Sequence, residues 1–157
     1  MTETFNWAVN ILETAHDSID RLDLAIQEYI TTRKWPVDTR SWDIVETLDP
    51  LLEHDQLPMD RGMYNLRIVD GNRMIRHNIN WIKWHLHDQA NPEKLQQGLG
   101  RHTTQPFRIY LVNMLQTVNN LTPNKSDQDT TLYHTLDTKY RSKILSDSES
   151  ETLLDKY

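Results

Sequence analysis

The stretch FNWAVNILETAHDSIDRLDLAIQEY, Phe5 to Tyr29, decides the fold. Phe5, Ala8, Leu12, Ala15, Ile19, Leu22, Ile26 and Tyr29 recur at alternating steps of three and four, the a and d positions of a helix seam. A strand alternates every second residue and could not hold this set on one face. The spacing predicts a long helix from Phe5 to Arg33, with Thr4 as N-cap. Trp35-Pro36 would stop it, because a residue before proline avoids the α region. Ala8 and Ala15 leave room for close approach by a second helix, from this chain or from another copy.

Downstream the apolar spacing stays helical. Ser41 caps a segment from Trp42 to His54 that Asp49-Pro50 is expected to break or kink, Asp serving as a second N-cap and Pro as a first helical residue. Asp60 to His87 reads as a central helix with two apolar stripes. One holds Ile68, Ile75, Ile79, Ile82 and Leu86, and the other Met63, Met74 and Trp81. Gly71 interrupts it at a helix-propensity cost of about 1 kcal/mol, which a close helix crossing at that point would explain. Thr104 with Pro106 is expected to open a further helix carrying Phe107, Tyr110, Leu111, Met114, Val118 and Leu121, closed by Leu121-Thr122-Pro123-Asn124. A last helix is expected from Asp129 to Leu145.

Composition agrees with an all-α chain. Four Gly and 6 Pro are too few for the turns of a β-sandwich. A length of 157 residues suits one domain. The reading is a single-domain bundle of four to five helices over residues 1–145, followed by an acidic, Ser-rich tail over 146–157. Cysteine is absent, which removes disulfides and thiolate chemistry. The first residues lack a secretory signal and no apolar run approaches membrane-spanning length, so a soluble cytoplasmic protein with no membrane partner is expected.

Charge is uneven. Residues 1–60 hold 4 Lys and Arg against 13 Asp and Glu, whereas residues 61–108 hold 8 against 3. Either the acidic first helix packs beside the basic central one, or the basic segment meets an anionic partner. The face of the central helix with Arg73, Arg76, Asn80, Lys83 and His87, and Trp84 at its margin, is the candidate contact surface. Arg101 joins it from the turn Gly98-Leu99-Gly100-Arg101-His102-Thr103 before the next helix. Cations for phosphate or carboxylate, an amide for hydrogen bonds and an aromatic for stacking suit RNA, DNA or an acidic protein segment. A solvated polar helix face is the competing reading.

Catalytic and metal signals are thin. Glu13-x-x-His16 has the spacing of half a carboxylate-bridged di-metal site, but a second such pair is missing. His85 and His87, two apart, point different ways on a helix. Arg73-Met74-Ile75-Arg76-His77 resembles the Arg-x4-6-His signature of the helical HEPN ribonucleases, though with three intervening residues, and the resemblance extends no further. No catalytic residue, cofactor or metal ligand is assigned. The expectation is a non-enzymatic α-helical interaction or regulatory protein that self-associates through helix packing. Its motive is a first-helix seam longer than the short second helix can cover. The alternative is a nucleic-acid-binding protein or nucleoprotein-assembly subunit that uses the basic face of residues 60–87.

Overall fold

The computed structural model describes residues 2–34, 43–53, 66–89, 100–122 and 124–144. These form five helices: α1 (Thr2–Thr32), α2 (Asp43–Glu53), α3 (Leu66–Gln89), α4 (Gly100–Leu121) and α5 (Asp127–Arg141). The described chain is an all-α bundle. Among the described residues no helix is long and apolar enough to cross a membrane.

All eight residues of the α1 stripe, from Phe5 to Tyr29, are buried within the single chain. Each fully buried Leu or Ile there contributes about 1.5–3 kcal/mol. The helix starts at Thr2, so Thr4 lies inside it and is not its cap. It ends where Arg33 turns left-handed, at φ 62°, and donates its N–H to Tyr29 O at 2.6 Å, satisfying a carbonyl of the last turn. Trp35-Pro36 and Asp60 lie outside the described residues.

At two positions where the sequence offers an N-cap followed by proline the helix is continuous. Pro50 lies inside α2, where burial of Ile44, Leu48 and Leu51 offsets the one backbone bond that proline cannot make. Asp49 forms an ion pair with Lys83 of α3 at 2.6 Å. Likewise α4 begins at Gly100, one turn before Thr104 and Pro106. Thr104 is buried and gives its hydroxyl to Asp23 Oδ1 of α1 at 3.3 Å, so a tertiary partner takes the group that a cap would have used. The last helix starts two residues earlier than expected, behind a capping box in which Ser126 Oγ accepts from Asp129 N and Asp129 accepts from Ser126 N.

Paired contacts fix the helix directions. Asp20 meets Arg108 and Asp23 meets Thr104, so numbers rise on α1 as they fall on α4 and the two are antiparallel. Trp81 stacks on Tyr110 and Met74 accepts from Thr117, which makes α3 antiparallel to α4. Farther along the same interface a Cβ on Gly71 would stand 2.6 Å from Leu121 Cδ1. The glycine is thus where two helices cross closely. On α5, Lys139 reaches Glu13, Tyr140 reaches His16 and Lys143 reaches Asp20, so α5 runs parallel to α1.

In the bundle, α1 packs on α2 and α4, α3 packs on the same two helices, and α5 lies over α1 and α4. Acidic α1 and basic α3 are therefore diagonal, not neighbours. Among the described residues, Arg108 of α4 and Lys139 and Lys143 of α5 pair with carboxylates of α1. Closure of the α1 seam by α4 also removes the need for a second copy to cover it.

Candidate functional site

The outer face of α3 is ordered by its helical period. Ile75, Asn78, Ile79 and Ile82 point inward. Met74 and Trp81 lie on the flank toward α4, His77, Trp84, Arg73 and Asn80 face solvent, and Arg76 and Lys83 lie on the flank toward α2. Trp81 is held by its stack on Tyr110, ring centroids 4.3 Å apart, and by the edge of Phe107 at 6.0 Å. That fixed indole is a rigid base for its exposed neighbours. Trp84 is 63% exposed and Met74 is 50% exposed. On α4, Ile109 is 41% exposed.

Between α3 and α4 runs a cleft of about 510 Å³, lined by Gly71, Met74, Asn113, Gln116, Thr117, Asn120 and Leu121. Asn113, Gln116 and Asn120 recur at helix spacing and give it a row of amides that can both donate and accept. Met74 and Leu121 supply its apolar part.

The residues proposed from sequence thus divide. Arg73, Asn80 and Trp84 are exposed on one face, and Arg76 is half-buried at its edge. Lys83 is spent on Asp49. The side chains of His87 and Arg101 lie outside the described residues. Arg73 and His77 share the outer face, one turn apart, and both are exposed.

A second polar centre, between α1, α4 and α5, was not foreseen. Arg108 is only 5% exposed; its Nη1 lies 2.6 Å from Asp20 Oδ1 and its Nη2 3.5 Å from Asp23 Oδ2. Lys143 Nζ bonds to Asp20 Oδ2. Burial would raise the Asp20 carboxyl, but the bonds from Lys143 and Arg108 outweigh it and hold the group below its ordinary value. One turn earlier on α1, fully buried His16 stacks on Tyr140 at 4.2 Å with the rings 8° from parallel. Burial lowers the His16 pKa to about 4 and pushes the Tyr140 phenol up. Neither His16 nitrogen nor the Tyr140 hydroxyl finds a hydrogen-bond partner among the described residues.

His16, Asp17 and Asp20 each offer one ligand atom, all within 4.8 Å. A cation there would sit against Arg108 and Lys143, and both oxygens of Asp20 already accept from them. The cluster is built as an ion-pair hub that ties three helices together. The signal for it in the sequence was Arg108, a charged residue on the buried stripe Thr104, Arg108, Leu111, Leu115, Val118 of α4. Comparisons with protein-family models, with curated proteins and with solved structures find no match to this chain.

Proposed function

We propose that this chain is a non-enzymatic helical interaction protein that docks an acidic protein segment on the outer face of α3 and the adjoining α4 cleft. The observation that carries the reading is Trp84, 63% exposed on a face that also presents Met74 and Arg73. An exposed indole with a methionine and a guanidinium beside it has the composition of an interface hot spot, and the amides of α4 suit the polar rim. The underlying helices are closely packed: Trp81 stacks on Tyr110, and Gly71 lets α3 and α4 close up. A preorganised surface loses little entropy on binding.

Charge separates the possible partners. Two copies meeting through this face would bring their Arg73 and Arg76 side chains together, so an acidic partner fits better than self-association. For the nucleic-acid alternative, Lys83 is already engaged by Asp49, and phosphate binding relies on several cations. Selection of a displayed peptide library on the wild-type protein and on Trp84→Ala is the test. The reading expects wild-type selection to enrich peptides combining acidic and large apolar residues, and Trp84→Ala to lose them. Equal enrichment on both would place the interface elsewhere. Steeply salt-dependent binding of a single-stranded oligonucleotide would favour the nucleic-acid reading, and sedimentation as a dimer abolished by Trp84→Ala would favour self-association.

A further inference from the structure

A cleft of about 260 Å³ opens beside the ion-pair hub, lined by Asp20, Asp23, Thr104, Gln105, Arg108, Ser142 and Lys143. Its hydrogen-bonding capacity is unevenly spent. Both Asp20 oxygens accept, from Arg108 and Lys143, while Asp23 Oδ1 accepts from Thr104 and Oδ2 faces Arg108. Each of these carboxylate oxygens already faces a cation or a donor. The Ser142 hydroxyl donates to Lys139 O at 2.7 Å. What remains is donor capacity. The Lys143 ammonium has three N–H groups and gives one to Asp20; the guanidinium of Arg108 has five and is engaged through two of its nitrogens. Gln105, only 6% exposed, has an Nε2 with no partner at all among the described residues.

A buried amide donor left unmade costs free energy that an incoming acceptor would recover. Gln105 lines the cleft, and although its Nε2 is itself covered, a turn of the flexible side chain would bring the amide to an acceptor entering from outside. We infer that this cleft is a binding site for a small monoanionic carboxylate, which takes hydrogen bonds from Gln105 Nε2, Lys143 Nζ and the remaining Arg108 N–H groups. A carboxylate brings several acceptor lone pairs in one plane, a match for a guanidinium and an amide that line one cleft. Its single charge is the limit, because Asp20 and Asp23 already place two negative charges on the wall and would oppose a phosphate dianion. The carboxylate is that of a free small acid or of a peptide C-terminus, which share this chemistry.

The probes are propionate and lactate for the free acid and N-acetylglycine for a chain end, with propionamide, inorganic phosphate and chloride at matched ionic strength as comparisons. The readout is the side-chain amide resonance of Gln105 in the ¹⁵N-labelled protein, identified by its disappearance in Gln105→Leu. A carboxylate is expected to shift that resonance saturably, with a dissociation constant in the millimolar range for so small a ligand. Lys143→Met should weaken binding about tenfold, the value of one charged hydrogen bond. Gln105→Leu should remove the saturable shifts at the backbone amides of Arg108 and Ser142 while the rest of the spectrum holds. Saturation by N-acetylglycine but not lactate would assign the peptide end, and the reverse the free acid. Shifts that are linear and equal with chloride, as large with propionamide, larger with phosphate, or unchanged in both variants would overturn the inference.

Discussion

Arg108 of α4 and Asp20 of α1 are 88 residues apart in sequence and 2.6 Å apart in space, and the guanidinium is almost wholly buried. The pair joins the two helices that close the α1 seam, and through Lys143 it also holds the end of α5. A buried ion pair is a poor source of net stability, but removing one partner strands the other. Asp20→Asn is therefore expected to destabilise the fold by about 3 kcal/mol, at the low end of the range for breaking such a pair because Asp23 remains beside Arg108. Urea unfolding measures it. The double variant with Arg108→Met should lose less than the two single changes together, and strict additivity would show the two side chains to be uncoupled.

His16 gives the fold a pH dependence whose direction follows from its burial. Its pKa falls from 6.5 unfolded to about 4 folded, so between those values the unfolded chain binds more protons and stability drops as the solution is acidified. The loss accumulates from about pH 6.5 down to pH 4 and amounts to about 3 kcal/mol. Asp20, held below its ordinary value, adds a separate loss only at lower pH, where its carboxylate protonates. His16→Phe keeps a ring for Tyr140 to stack on and removes the proton site. Its unfolding free energy should be nearly flat over the same window, and an unchanged slope would assign the effect to another group.

Gly71 was legible as a crossing point because a glycine in the interior of a long helix has few other uses. Its partner, Leu121, was not. A methyl group at position 71 meets Leu121 Cδ1 at 2.6 Å and Cγ at 3.0 Å, so the side chain must shift bodily rather than swing its tip. Gly71→Ala is expected to lose about 1 kcal/mol net, as overpacking exceeds the gain in helix propensity. In a Leu121→Ala background the same change should instead gain about 1 kcal/mol, the bare propensity difference. Thermal unfolding of the four proteins settles the sign.

The α1 stripe was readable from spacing alone because each position depends only on neighbours three or four residues away. Cap positions were less so. Thr4, Asp49 and Thr104 all have the side chain for an N-cap, yet α1 starts before Thr4, Lys83 takes Asp49, and Asp23 takes Thr104. A polar group's choice between a local and a distant partner depends on which helices are adjacent, which local periodicity does not encode. The same gap explains the charge pattern. That an acidic α1 needs cations was clear, but only the diagonal placement of α1 and α3 makes Arg108, Lys139 and Lys143 the partners. On the candidate face, Trp84, Arg73 and Asn80 were found by their period, whereas the amide row of α4 enters only because Trp81 packs on Tyr110 and Met74 on Thr117.

The central functional claim is that the α3 face binds a protein segment through Trp84, and its most direct measurement is one ratio. For a peptide selected on the wild-type protein, the dissociation constant is compared between wild type and Trp84→Ala by calorimetry, with circular dichroism and the unfolding midpoint as the check on the fold. Trp84 is exposed, so truncation should leave stability within about 0.5 kcal/mol. Affinity should fall about thirtyfold, as for an interface hot spot. Equal affinity in the two proteins, with the fold intact, would contradict the account.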